Sequence, residues 1–206
     1  MGRYKNDEAF TGLEAAIVLI AFVVTASVFS YVMLGAGFFA TQKTQEVVYT
    51  SVGQASSSVE VLGDVYGNST ADAGTDSTID AIRFVVGLTA GGSPVDFSST
   101  TITFSSEKIV KKIENVTAIS SSSTDVVVDK SAIGPNEWGI IDIANTNQKD
   151  SLLENQEQFT IYVQLGSDTE VQKYQNLNLE IRPAKGASYG IKRNAPAKIE
   201  KVNVLY

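Results

Sequence analysis

The chain has 206 residues, no Cys, no His, and 16 basic against 23 acidic side chains, for a formal net charge of −7. Without Cys or His there are no disulfides, thiolate nucleophiles, zinc or haem ligands and no histidine acid–base chemistry, so neither a cofactor nor a metal site is expected. The acidic balance argues against nucleic-acid binding, which needs a basic footprint, and the length suits one domain with an appendage.

The mean hydropathy of +0.03 averages two unlike segments. Residues 1–9 are polar, with Arg3, Lys5, Asp7 and Glu8 summing to zero. From Ala15 to Ala40 there follow 26 residues without a charge, and Thr25, Ser27 and Ser30 are the polar interruptions. That run exceeds the roughly 18–20 residues that suffice to cross a bilayer. Its apolar side chains fall on every helical face, so a helix here must be surrounded by lipid or protein. A cleaved secretory signal has a shorter apolar core, ~7–15 residues, which favours a retained helix.

Thr11-Gly12-Leu13-Glu14 fits a capping box: the Thr11 hydroxyl accepts a backbone N–H, and Glu14 reaches back to the Thr11 amide and favours the positive end of the helix dipole. Beyond Thr41, apolar residues at Val47, Val48, Val52, Ala55, Val59 and Leu62 continue a helical period to Leu62. Gly35-Ala36-Gly37 permits either a bend or close helix contacts.

After Gly63 the period changes to alternation. Ile82–Leu88, Phe159–Leu165 and Leu177–Ile181 read as half-buried strands, and Thr101–Phe104, Val126–Val128, Trp138–Ile143 and Ile199–Leu205 as shorter ones. Short strands separated by Gly, Ser, Asn and Pro clusters predict an antiparallel, Ig-like β-sandwich, giving an α+β protein with a long N-terminal hydrophobic helix. Ser and Thr supply 13 of the 28 residues from Phe97 to Thr124, which reads as exposed loop and edge strands or as a glycosylated or adhesive surface. Sequons at Asn68-Ser69-Thr70 and Asn115-Val116-Thr117 make Asn68 and Asn115 possible N-glycosylation sites. Asp64, Asp72, Asp76 and Asp80 lack the order of a calcium loop and read as a solvated stretch. Lys108, Lys111 and Lys112, beside Glu107 and Glu114, read as surface charge. Trp138 reads as a core aromatic, and Asp125/Asp129 and Glu154/Glu157 as exposed turns with no catalytic role assigned.

Ala9-Phe10-Thr11-Gly12-Leu13-Glu14 before an uncharged helix resembles the class III signal of type IV pilin-like subunits. The stretch Phe10–Val24, followed by Val28-Phe29-Ser30-Tyr31-Val32-Met33-Leu34-Gly35-Ala36-Gly37-Phe38-Phe39, is similar to archaellin (archaeal flagellin) over about residues 10–60. The resemblance implies cleavage between Ala9 and Phe10 by a prepilin/preflagellin-type membrane peptidase. It divides the chain into a leader (1–9), a membrane-stored, filament-forming helix (10–62) and a β-rich outer head (63–206). It further implies storage in the membrane, then polymerisation of the chain with itself by a membrane assembly platform and ATPase into a surface filament for swimming. Two departures stand out. Ala9 occupies a position where the family usually has Gly, and Glu14 with Phe10 also matches bacterial type IV pilins. An adhesive pilin therefore stays open, as does, from another class, a membrane-anchored β-sandwich binding module. Glu14 has two readings: the cap with Thr11, or pairing with the Phe10 amine of a neighbouring subunit.

Overall fold

A computed structural model describes residues 4–70, 78–116, 126–146 and 148–206. Asp72, Asp76, Thr117, Ser120–Thr124 and Asp125 lie outside the described residues. The chain divides into two compact units, Met1–Ser51 and Val52–Tyr206.

Tyr4–Ser56 is one unbroken helix, α1. No proline occurs before Pro94, so nothing removes a backbone donor from this stretch. Its few polar side chains are satisfied locally. The Thr25 hydroxyl donates to the Ala21 carbonyl at 2.9 Å, Ser27 to Val24 at 2.8 Å, Thr41 to Gly37 at 2.9 Å and Thr44 to Ala40 at 2.8 Å. Back-bonded hydroxyls of this kind need no partner outside the helix.

Helix α1 ends at Ser56, not at Leu62 as the apolar spacing suggests. The reason lies in Gly53 and the serines that follow. The Gly53 carbonyl accepts the Ser57 amide at 3.1 Å and the Ser57 hydroxyl at 2.7 Å. The Ser58 amide turns back to the Ser56 carbonyl at 3.0 Å. The Ser57 amide bond is the last rung of the helical ladder; the Ser57 hydroxyl shares its acceptor, and the Ser58 amide leaves the ladder and releases the chain into a strand. The junction is then fastened within the second unit. Thr89 donates its amide to the Ser58 carbonyl, Ala187 donates to the Ser57 carbonyl, and the Ser56 and Ser93 hydroxyls meet at 2.8 Å. Gly186 lies directly over Ser57 with φ +108°, and a Cβ there would overlap the Ser57 carbonyl. Gly186→Ala should therefore destabilise the second unit by more than about 2 kcal/mol. Thermal melting of the detergent-solubilised chain checks this, and an unshifted transition would contradict it.

The described residues of the second unit contain eleven strands: β1 (Val59–Asn68), β2 (Ala81–Leu88), β3 (Val95–Asp96), β4 (Thr101–Ser106), β5 (Val110–Asn115), β6 (Glu137–Ala144), β7 (Leu152–Leu153), β8 (Gln158–Gln164), β9 (Asn176–Arg182), β10 (Tyr189–Asn194) and β11 (Val202–Leu205). A short 3-10 helix spans Lys130–Ala132. Nine strands follow the order β10-β9-β4-β5-β6-β8-β2-β1-β11, and β3 pairs with β7. The layers β10-β9-β4-β5 and β6-β8-β2-β1-β11 are each antiparallel throughout. Phe84 and Val86 from one layer share a single buried cluster with Phe104 and Leu179 from the other, so the layers face each other across one core.

The antiparallel expectation fails at one place. β5 and β6 pair in parallel, Glu114 with Glu137 and Asn115 with Trp138, and so join the layers. A parallel pair needs a long crossover, which residues 116–136 supply. Val126–Val128 is not a strand. Its amides are used singly, Val126 donating to Lys149 and Val128 to Ile140, with no continuous ladder. The described part of the Ser/Thr-rich stretch, residues 97–116, is more deeply packed than its composition suggests. β4 is an interior strand between β9 and β5, with Ile102 and Phe104 fully buried.

Candidate assembly surface

The largest unsatisfied feature of the first unit is the flank of α1. Every described residue from Thr11 to Tyr49 is exposed. The exposed side chains include Phe22 at 72 %, Phe29 at 64 % and Phe38 at 65 %. By length and composition this helix can cross a membrane. Burying a large apolar side chain is worth roughly 1.5–3 kcal/mol relative to water, so covering this helix contributes on the order of tens of kcal/mol. The isolated helix in water is therefore the least favourable of its environments.

Ala9 and Phe10 lie within the helical span Tyr4–Ser56. Thr11, Gly12 and Glu14 also lie inside the helix instead of at its start, so Thr11 is not the N-cap of the uncut chain. The physical reason is that residues 4–10 contain no breaker and extend the helix backwards. Glu14 stands with Ala15, Val18, Leu19 and Phe22 along one shallow groove on the helix flank. Among the described residues, none of the ion pairs involves Glu14. A Cβ on Gly12 would meet nothing within 4 Å. Nothing inside the single chain requires glycine there.

In the second unit the candidate polar residues are occupied by structure. Asp129 accepts the Ser131 amide at 2.9 Å and the Ser131 hydroxyl at 2.8 Å, capping the 3-10 helix, and these bonds hold its carboxyl below the ordinary value. Glu157 accepts the Glu154 amide at 3.0 Å and closes a turn. Lys111 pairs with Asp168 at 2.5 Å, and Lys112 with Glu114 at 3.5 Å. Asp80 accepts both the amide and the hydroxyl of Thr70. Among the described residues no group of three His, Cys, Asp or Glu is placed to hold a metal ion.

The two sequons differ in geometry. Asn68 ends β1 half-buried; its Oδ1 is buried without a hydrogen-bond donor, and its side chain hydrogen-bonds Tyr162. Asn115 ends β5, and its Nδ2, the atom a glycan would occupy, donates to the Phe97 carbonyl at 3.2 Å. Nothing in the sequon pattern signals that second bond, which depends on a residue 18 positions away.

The profile described as archaeal-type flagellin matches residues 9–193. "Probable flagellin 1" of Archaeoglobus fulgidus is 40% identical over 204 residues, covering 98% of this chain and 96% of its own length. "Probable flagellin 1" of Aeropyrum pernix is 31% identical over 202 residues, 95% of each. In structure, the archaeal flagellum of Methanospirillum hungatei strain JF1 superimposes with a TM-score of 0.67 at 33% identity, covering 95% of this chain and 99% of that one. The match covers 95% of this chain and so extends through helix and sheet. With the family profile over most of the sequence and near full-length identity to flagellins of two organisms, the chain belongs to the archaeal-type flagellin family.

Proposed function

We propose that this flagellin, a structural filament subunit of the archaellum and not an enzyme, uses one helix in two environments. Lipid first solvates α1 in the membrane-stored precursor, and the helices of neighbouring subunits later replace that lipid in the filament core. The observation that carries the reading is the uncharged run Ala15–Ala40, exposed on every face, with the Thr25 and Ser27 hydroxyls closed by bonds to the helix's own carbonyls. Such a surface suits lipid and a dry core equally. The transfer between them therefore gains little free energy, and a membrane assembly platform with an ATPase drives it.

Cleavage between Ala9 and Phe10 by a membrane peptidase of the prepilin/preflagellin type removes Arg3 and Lys5, charges that hold the chain on the cytoplasmic side. It also creates a free amine at Phe10 and frees the Thr11 hydroxyl and Glu14 to cap the new helix start. The leader is 1–9, the filament-forming helix runs from Phe10, and the β-rich unit faces outward on the cell surface. Asn68 and Asn115 both stay candidates for an outer glycan, and at either one the side-chain nitrogen must first leave its partner, Tyr162 or the Phe97 carbonyl. Intact-mass measurement of subunits from sheared filaments should give a chain starting at Phe10, and a mass retaining residues 1–9 would sink the cleavage step.

Glu14 separates its two roles by substitution. Glu14→Ala should lower filament yield several-fold while leaving the chain folded in the membrane. Glu14→Gln keeps the capping hydrogen bond and loses the charge. Full yield with Gln assigns the cap, and a yield as low as with Ala assigns pairing to a neighbour's Phe10 amine. The measurement is filament mass per cell against membrane-bound subunit.

A further inference from the structure

Charge within the second unit is divided very unevenly. Residues 46–181 carry 7 basic and 19 acidic side chains, whereas residues 182–206 carry six basic (Arg182, Lys185, Lys192, Arg193, Lys198, Lys201) against Glu200 alone. The last 25 residues of this acidic protein therefore form a basic segment, and that segment builds β10 and β11, the two edge strands of the nine-stranded sheet. The edges approach each other where the Asn194 amide donates to the Tyr206 carbonyl at 2.7 Å.

β11 also breaks the ordinary alternation. Its inward residues Asn203 and Leu205 are buried, but the outward ones are Val202, Val204 and, just past its end, Tyr206, exposed by 56 %, 39 % and 75 %. Tyr66 of β1 lies opposite Val204 and widens the strip. A solvated sheet face should carry polar side chains there, and an apolar edge strand left open invites pairing with another chain. On β10, exposed Lys192 adds positive charge, and neither it nor Arg193 belongs to any of the ion pairs among the described residues.

We propose that the strip formed by Val202, Val204 and Tyr206, together with the exposed Lys185 and Lys192, docks onto a second copy of this chain in the filament at exposed carboxylates of β1 and β6 such as Asp64 and Asp142. Charge complementarity selects the occupant. Copies of this chain, each with a net charge of −7, repel when packed side by side unless a basic edge meets an acidic face. An apolar row at the centre with charges at its margin is the usual anatomy of a protein–protein contact. The inference rests on the filament reading above, but it concerns a contact separate from the α1 core.

The chain has no native Cys, so Val204→Cys and Tyr206→Cys each place a unique thiol in the strip. Maleimide labelling in intact filaments should be at least tenfold slower than in the same subunits dissociated by detergent. Equal rates in filaments and dissociated chains would overturn the proposal while leaving the filament reading intact. Carbodiimide coupling of wild-type filaments supplies the second measurement and needs no variant. It should yield covalent dimers linking Lys185 or Lys192 to an exposed carboxylate of β1 or β6 such as Asp64 or Asp142. Thiols protected in filaments without such dimers would mean that something other than a second copy covers the strip, and would also overturn the proposal.

Discussion

Replacing Phe29 with Asp should abolish surface filaments while leaving the subunit in the membrane. Phe29 sits near the middle of the uncharged run and is 64 % exposed in the single chain. A lone Asp at the centre of a membrane helix costs about 2.5–3.5 kcal/mol on insertion scales, a small part of what the remaining apolar residues supply. Insertion should therefore survive. In a packed core the same carboxylate meets neighbouring apolar helices. Its polar neighbours Thr25 and Ser27 already donate to carbonyls of their own helix. An unpaired buried ion costs several kcal/mol, and in a helical polymer the penalty recurs at every subunit. Immunoblots should show membrane-bound subunit within about twofold of wild type and no subunit in the sheared fraction, with Phe29→Leu assembling as the conservative control. Filaments of normal yield and heat resistance from Phe29→Asp would remove α1 from the core.

The helix was legible because its signal is local. Twenty-six uncharged residues admit few environments, and no tertiary partner is needed to infer one. Its C-terminal boundary was not, since Val59 and Leu62 fit a helical period equally well, and the decision falls to Ser57 and Ser58 bonded to residues near 89 and 187. Long alternating strands such as β2, β8 and β9 were visible for the same local reason. β10 was hidden because Ile191 is its one buried residue, and β3 and β7 because each is two residues long and exists through its pairing with the other. Thr11 illustrates a different limit. The capping pattern is real in the sequence, but residues 4–10 extend the helix past it, so in the uncut chain the pattern marks no helix start. At the sequons, the consensus is three residues long, whereas access to Asn115 is decided by the Phe97 carbonyl across the fold.

Truncating Trp138 should be the most damaging single change in the second unit. It is fully buried, packs edge-on to Phe97 at a 6.5 Å centroid distance, and Phe97 in turn meets Phe159 at 5.4 Å. Trp138 also lies at the parallel seam, opposite Asn115, where β5 joins β6. The two pairs of that seam are the direct ladder between the layers, so a cavity beside them loosens the layers as well as the core. Removing a buried Trp side chain costs about 3–5 kcal/mol. For a unit of this size that lowers the melting temperature by roughly 6–20 °C, at ~2–4 °C per kcal/mol. Trp138→Phe should behave differently. The indole Nε1 is buried without an acceptor, so the phenyl ring loses some packing but also removes an unsatisfied donor whose burial costs about 1–3 kcal/mol. The expected order is wild type and Trp138→Phe within a few degrees, with Trp138→Ala far below both. Circular dichroism of the β signal in the solubilised chain provides the readout. If Trp138→Phe melted as low as Trp138→Ala, the indole N–H would have to be making a bond that stabilises the fold, and the seam would owe its strength to polar contact instead of packing.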